Sequence, residues 1–270
     1  ARGLLAHAGV GQRSAGSGKT EASEPWVEPQ TGLRWRWVPG GEFGMGAEDL
    51  THARPVHAVR VSPFWLAETP VTNDQYRRFL LATGHPPSRL SDERRFNAPV
   101  QPVVGVSWHD AAAYCVWASE ELGREVKLPS EAEWEFAARG PEGRKYPWGE
   151  QESDATLAVY GDQEGVPREV GSCPAGRGPY GHLDLAGNVW QWCRDVWNER
   201  AYAERAARGE VVVDPEVTAG DDERRCLRGG SFWLDALDLR SALRRWSHAR
   251  DPLESIGFRV MAVPASRVGD

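Results

Sequence analysis

The chain has 270 residues, 32 of them basic and 39 acidic, which gives a formal net charge of −7. This balance lacks the basic stripe that is typical of nucleic-acid-binding proteins, so we expect no nucleic-acid partner. The sequence shows neither the ~18 consecutive apolar residues of a membrane span nor the apolar core of a signal peptide, and it leaves the localisation unknown.

The first 30 or so residues are rich in Gly, Ala, Ser and Glu and have no apolar period. We expect a flexible tail or linker there, followed by one domain over residues 31–270. Within the tail, residues 16–20 (GSGKT) resemble a phosphate-binding loop. Arg13 stands where that motif needs its first glycine, and no apolar strand precedes it, so we expect no nucleotide site.

Strands open the predicted domain. Residues 33–38 alternate apolar and polar side chains, as a half-buried strand does. A turn at residues 39–41 leads to a second strand over 42–45, and a third strand is predicted over 56–64.

Three helices follow, each with a recognisable start. Thr72 with Gln75 and Ser130 with Glu133 have the spacing of a capping box. Ser107 is predicted to start the second helix. Glycines suited to the left-handed conformation end the three helices at Gly84, Gly123 and Gly140. The predicted apolar face of the second helix consists of Trp108, Ala112, Cys115 and Leu122.

Beyond residue 141 the chain is rich in Gly, Pro and Trp, and only short strands are predicted, over 189–192, 226–228 and 256–263. The pattern indicates an α+β class: a few early helices, then long loops held by small sheets. The four cysteines form no C-x-x-C pair, so we expect reduced and mostly buried thiols.

A series of ordered motifs between residues 35 and 263 resembles the formylglycine-generating (sulfatase-modifying) family. The blocks are WVPGGEFGMG at 37–46, RPVH at 54–57, ETPVTNDQY at 68–76, PVVGVSW at 102–108, LPSEAEWE at 128–135, YPWG at 146–149, AGNVW at 186–190, RGGSF at 228–232 and IGFR at 256–259. The resemblance implies the C-type lectin fold in its formylglycine-generating subtype, with few helices, small antiparallel sheets and long loops. Fold alone does not imply function.

The resemblance also places two copper-binding, nucleophilic cysteines just after the RGGSF block. Leu234 and Leu239 occupy the matching positions, and leucine is neither a soft-metal ligand nor a nucleophile. The family's iron-dependent sulfoxide synthases need an H-x3-H-x-E pattern, and Pro55 separates His52 from His57. We therefore expect no enzyme activity and no cofactor. The alternative is an oxidoreductase homologue with a lost or unrecognised metal site.

A calcium site is implied by the family around the Gly-Asn-x-Trp block. The matching positions are Asp184, Gly187, Val189 and Gln191. Gln191 keeps an oxygen but lacks the charge that a hard cation favours. The other hypothesis is a turn held by the hydrogen bonds of Asp184 and Asn188.

Residues from about 228 to 260 resemble the variable region of diversity-generating retroelement proteins, several of which use this lectin-like fold. The framework is RGGS-aromatic, then LRSAxR, then IGFR. The interspersed residues have no buried period and would line a ligand-binding face. The predicted contact positions are Trp233, Leu234, Asp235, Leu237, Asp238, Leu243, Arg245, Trp246, Ser247 and His248.

The main hypothesis is therefore a binding protein for a protein or cell-surface ligand, with its C-terminal region diversified by a retroelement. A thermophile prophage origin would suit the 29 Arg against 3 Lys. A further hypothesis is a structural lectin-fold module joined to another domain. The basic residues near 240–250 alternate with acidic ones, and we expect them to form a mixed surface.

Overall fold

The computed structural model describes residues 24–161 and 164–264. The GSGKT segment and most of the predicted tail lie outside the described residues. Strand β1 (Trp26–Val27) nevertheless falls within the predicted tail. Its Trp26 pairs with Trp35 and stacks on that ring at 6.1 Å, so the folded part of the chain starts before residue 31.

The three predicted helices are confirmed. The helices are α1 (Asn73–Thr83), α2 (Trp108–Leu122), α3 (Glu131–Arg139) and the short α4 (Ala201–Ala206), which the sequence did not reveal. Each of α1 to α3 starts with a capping box, in α2 formed by Ser107 and Asp110. The buried face of α2 centres on Ala111 and Tyr114, while Ala112 is only half-buried.

Three small sheets accompany the helices. The first sheet, in spatial order, is β1, β2 (Arg34–Val38), β5 (Phe64–Ala67), β12 (Met261–Ala262) and β6 (Val126–Lys127). The second is β10 (Arg244–His248), β9 (Asp221–Arg228), β7 (Trp190–Trp197) and β11 (Ile256–Gly257). The third is β3 (Gly41–Met45), β4 (His57–Val61) and β8 (Val212–Val213).

Most strand pairs are antiparallel, but β11 with β7 and β4 with β8 are parallel. The single strand predicted over 56–64 is two strands, because Ser62 and Pro63 lie outside either strand and β4 and β5 belong to different sheets. The last predicted strand is likewise divided into β11 and β12. The α+β class with few helices and small sheets is confirmed.

Large aromatic side chains fill the core, and Trp35, Trp134 and Trp192 are completely buried. Strand β7 is almost entirely buried because other strands flank it on both edges and α3 packs against it. All four cysteines are buried free thiols, as expected. Within the described part of the chain, no helix is long and apolar enough to cross a membrane.

Gly187 offers a direct test of how tightly the loop before β7 is packed. Its φ is +75°, and a Cβ there would lie 2.3 Å from the carbonyl oxygen of Val159. We expect Gly187→Ala to lower the free energy of unfolding by roughly 3 kcal/mol or more, since positive-φ strain is joined by a backbone clash.

Gly209 is the matched control, because its φ is +67° but a Cβ would meet nothing within 4 Å. Gly209→Ala should cost only about 1 kcal/mol, the penalty for left-handed backbone. Urea unfolding of both variants measures the difference. Equal losses would show that the Val159 contact does not constrain the loop.

Candidate functional site

The base of the candidate site is a pair of carboxylates on α3. Glu131 and Glu135 are four residues apart and share one helix face, and both are completely buried. The capping box at Ser130 fixes where the helix starts, and a carboxylate in the first turn is favoured by the helix dipole. The helix therefore holds two negative charges beneath strands β9 and β10.

Two arginines on those strands meet the carboxylates. Arg228 and Arg244 lie directly opposite each other in the β9–β10 register, an arrangement of like charges that is unfavourable by itself. Glu131 relieves it, with an oxygen 2.9 Å from Nε of Arg244 and 3.2 Å from Nε of Arg228. Burial raises the pKa of Glu131, but the two arginines outweigh that effect and lower the pKa to about 2.

Aromatic rings complete the surroundings of these arginines. The Arg244 guanidinium lies 4.5 Å from the ring of Trp197 and 4.2 Å from that of Tyr202. Arg228 donates to the Tyr202 hydroxyl at 3.1 Å and also pairs with Glu135. Arg244 is 1 % exposed, so the expected mixed surface is wrong for this residue, which is an internal ion-pair partner.

Above this network lies an open cleft of about 340 Å³ between the loop of residues 49–53 and the segment of residues 237–245. Arg240 spans the two walls with a bidentate pair to Asp49 at 2.6 and 2.9 Å. That contact holds the pKa of Asp49 below its usual range. Arg244 reaches up from the base to the carbonyl of His52 at 3.1 Å.

The ten predicted contact positions are distributed unevenly over this region. The exposed ones are Trp233, Asp235, Leu237, Arg245, Trp246 and His248; Leu234 and Asp238 are half-buried, and Leu243 and Ser247 are buried. The framework positions behave oppositely, since Leu239, Ala242 and Arg244 are buried and Arg240 is half-buried. Six of the ten predicted contact positions are thus exposed, and three of these four framework positions are buried.

The structure brings only some of the ten together. Those that line the cleft are Leu237, Asp238, Leu243 and Arg245. Trp246 and His248 lie further along β10, where Trp246 stacks against Arg224 at 3.9 Å. The predicted positions therefore form a cleft wall and an adjoining aromatic strand.

The positions that match the family's cysteines are in different settings. Leu239 is completely buried, and Leu234 packs at the edge of the main core. The actual thiols lie elsewhere, and burial raises the pKa of both Cys193 and Cys226 well above the usual value. A buried neutral thiol is a poor nucleophile.

The predicted calcium residues do not fit that ion as they are arranged. The Gln191 side-chain oxygen accepts from Trp134 at 2.8 Å and from Arg259 at 2.5 Å. The Asp184 carboxylate accepts from the backbone amide of Gly171 at 2.7 Å. The guanidinium of Arg259, itself completely buried, thus occupies the Gln191 oxygen that a cation would need. Within the described residues no group of three His, Cys, Asp or Glu side chains is placed to hold a metal.

Sequence reasoning missed several residues that build the site, namely Glu131, Glu135, Asp49 and His52. One signal was present, because α3 carries three glutamates in nine residues beside a tryptophan and a phenylalanine. Glutamates among core aromatics indicate buried ion pairs with partners elsewhere in the chain. The loop of residues 49–53 carries no comparable signal.

Comparison with known proteins gives consistent results. Residues 23–263 match the family described as "Sulfatase-modifying factor enzyme 1-like domain". The formylglycine-generating enzyme of Streptomyces coelicolor is 32 % identical over 258 residues, which cover 72 % of this chain and 77 % of that enzyme. Hercynine oxygenase of Mycolicibacterium smegmatis is 30 % identical, and the match covers 78 % of this chain and 57 % of the oxygenase.

Solved structures show the same architecture. PvdO from Pseudomonas aeruginosa superimposes with a TM-score of 0.77 at 26 % identity, covering 90 % of this chain and 99 % of PvdO. Treponema denticola variable protein 1 superimposes with a TM-score of 0.75 at 22 % identity, covering 91 % and 100 %. The C-type lectin type of fold is thereby confirmed.

The expectation that the chain is not an enzyme is wrong. The relatives named formylglycine-generating enzyme and hercynine oxygenase match it over most of its length, and PvdO is a close structural neighbour. The expectation relied on Leu234 and Leu239 and on the missing H-x3-H-x-E pattern. Those features concern two particular catalytic devices, and they do not decide whether the chain carries out a reaction.

The Glu131 network predicts a specific acid sensitivity. The pKa of Glu131 lies near 2 in the folded chain, below the ordinary value of 4.5. Its contribution to stability is therefore complete above about pH 5 and is lost as the pH falls toward 2. We expect Glu131→Gln to cost about 3–5 kcal/mol at pH 7, because Arg244 stays buried without a carboxylate partner and Arg228 keeps only Glu135.

The variant should also show a flatter dependence of unfolding free energy on pH between about 5 and 2 than the unmodified chain. Glu152→Gln, which removes an exposed partner of Lys145, is the control and should leave the unfolding midpoint unchanged. Parallel pH curves for the unmodified chain and Glu131→Gln would contradict the account.

Proposed function

Because the chain belongs to the sulfatase-modifying factor enzyme 1-like domain family, we propose that it holds a ligand at the cleft between residues 49–53 and 237–245. The proposal includes the adjoining exposed face of β10. One observation carries it: six of the ten predicted contact positions are exposed, while the framework residues Leu239, Ala242 and Arg244 between them are buried.

The composition of this face suits recognition of a macromolecule. Trp233, Leu237 and Trp246 are 54 %, 74 % and 36 % exposed. Large apolar side chains at the surface mark interaction sites, and Trp and Arg are frequent anchors of interfaces. Asp238 and Arg245, whose charged atoms lie 3.7 Å apart, add polar contacts beside them. A protein or cell-surface ligand fits this mixture.

The proposal extends to the origin of the segment, as a variable region diversified by a retroelement, in a thermophile prophage. Support comes from the spacing of the RGGS, LRSAxR and IGFR framework. It also comes from the position of Arg244, which Glu131 holds while its neighbour Arg245 is exposed. A side chain can change on such a strand without disturbing the buried ion pairs.

Family membership favours a second candidate, which is an oxidoreductase reaction on the ligand held in this cleft. Its chemistry would use groups other than a cysteine pair, and His52, Asp49 and Asp238 are the titratable side chains that line the cleft besides its arginines. Dioxygen consumption with a thiol reductant, lost in His52→Phe, would favour this candidate. Dioxygen consumption that is the same with and without the ligand, or that persists in His52→Phe, would count against this candidate.

Sequencing of the gene across a cultured population tests diversification. We expect substitutions at the exposed positions Asp235, Leu237, Arg245 and His248, and none at Leu239 or Arg244, since changes there would break the interior. Trp233 and Trp246 cannot arise from Asn codons by adenine changes alone, so they should vary less. A uniform gene without a near-copy template repeat would overturn the retroelement hypothesis.

A matched pair of leucines tests the separation of face and framework. Leu237 is 74 % exposed and Leu239 is completely buried, two residues apart. Leu237→Ser should change the free energy of unfolding by less than about 0.5 kcal/mol. Leu239→Ser should cost about 3 kcal/mol or more, through the cavity and the buried hydroxyl. Equal losses in urea unfolding would contradict the proposed division.

A further inference from the structure

A second cleft lies between the start of β4 and the segment that runs from the end of α4 to residue 211. It contains Arg205, which is only 6 % exposed. Its guanidinium makes one hydrogen bond to the described part of the chain, to the Met45 sulfur at 3.9 Å. Among the described residues no carboxylate oxygen lies within 4.0 Å of it, unlike Arg228, Arg244 and Arg139. A buried guanidinium without a carboxylate is costly unless something else balances its charge.

His57 lines the same cleft and is also 6 % exposed. Its Nδ1 lies 3.1 Å from the Pro55 carbonyl, to which it donates, and its ring meets Tyr202 edge-on at 4.7 Å. Burial lowers the pKa of His57, and the nearby Arg205 lowers it further. The ring is therefore neutral at pH 7, and its buried Nε2 has no partner within the described residues. This nitrogen can accept a hydrogen bond.

The interior beside this cleft has an excess of positive charge. The carboxylates Glu131 and Glu135 face the guanidiniums of Arg139, Arg228 and Arg244, and the Arg205 charge also acts on Glu131. If the buried carboxylate of Asp195 is added as a third acidic group, three acidic groups still face four arginines, the fourth being Arg205. An anion bound near Arg205 would neutralise the remaining positive charge.

We propose that the cleft lined by Val56, His57, Ala58, Arg205, Gly209 and Glu210 is a binding site for hydrogen phosphate, free or as the terminal group of a larger ligand. Arg205 donates to the phosphate oxygens, and the phosphate O–H donates to Nε2 of His57. Arginine suits this role because its planar donors match phosphate geometry. The exposed Glu210 carboxylate opposes binding and weakens it.

Calorimetric titration of the full chain with inorganic phosphate at pH 7 tests the site. We expect saturable binding, and we expect Arg205→Met to weaken it by at least about tenfold through loss of a charge-assisted hydrogen bond. Arg205→Met should stay folded, because methionine removes an unpaired buried charge. Arg208→Met, on the exposed neighbouring arginine, is the matched control and should bind phosphate like the unmodified chain.

Two further variants identify the bound chemistry. Sulfate has the shape of phosphate but carries no proton at pH 7, so it should bind several-fold more weakly. His57→Phe keeps a ring against Tyr202 and should remove the preference for phosphate over sulfate.

Glu210→Gln should tighten phosphate binding, since a repelling charge is lost. A phosphate monoester keeps its proton in about half of the molecules near pH 6, its second pKa, so competition is measured at that pH. A monoester that competes with inorganic phosphate would show that the site takes the terminal group of a larger ligand; failure to compete would leave free phosphate as its ligand.

The proposal is overturned if the unmodified chain does not bind phosphate at concentrations on the order of 10 millimolar. It is overturned as well if Arg205→Met and Arg208→Met bind phosphate equally. It is also overturned if sulfate and phosphate bind equally in the unmodified chain. None of these outcomes depends on the cleft between residues 49–53 and 237–245, so the two proposals stand or fall separately.

Discussion

The site depends on one carboxylate held between two arginines that would otherwise repel each other. Glu131 joins the start of α3 to the end of β9 and the beginning of β10 through Arg228 and Arg244. Because all three side chains are buried, loss of any one would leave uncompensated charge in the interior. The interaction fixes where β10 lies, and through the Arg244 bond to His52 it also fixes the opposite wall of the cleft.

This arrangement explains how a rigid interior supports a surface of mixed chemistry. Along β10 Arg244 and Ser247 are buried while Arg245, Trp246 and His248 are exposed, so core packing and surface chemistry fall on different side chains. Proteins of the sulfatase-modifying factor enzyme 1-like family and Treponema denticola variable protein 1 share this fold, and a fold by itself does not determine function. Leu234 and Leu239 both contribute to core packing, although Leu234 was a predicted contact position.

Much of the fold was predictable, because its signals are local. The caps at Thr72 and Ser130 and the glycine at Gly84 act within one turn of a helix, and each was found where the sequence placed it. The partners of Glu131 lie 97 and 113 residues away, and no local pattern specifies them. The calcium hypothesis overlooked Arg259 for the same reason, because its contact with Gln191 forms only in the folded chain and no local pattern indicates it. Arg205 gave no signal at all, because its isolation from carboxylates is a property of the tertiary structure.

A double-mutant cycle between Glu131→Gln and Arg244→Met tests this account most directly. The free energies of unfolding of both single variants and the double variant, measured in urea at pH 7, give the coupling between the two side chains. We predict a coupling of at least about 2 kcal/mol, because Arg244→Met removes the charge that Glu131 neutralises. Additive losses, within about 0.5 kcal/mol, would show that the ion pair does not hold β10 in place.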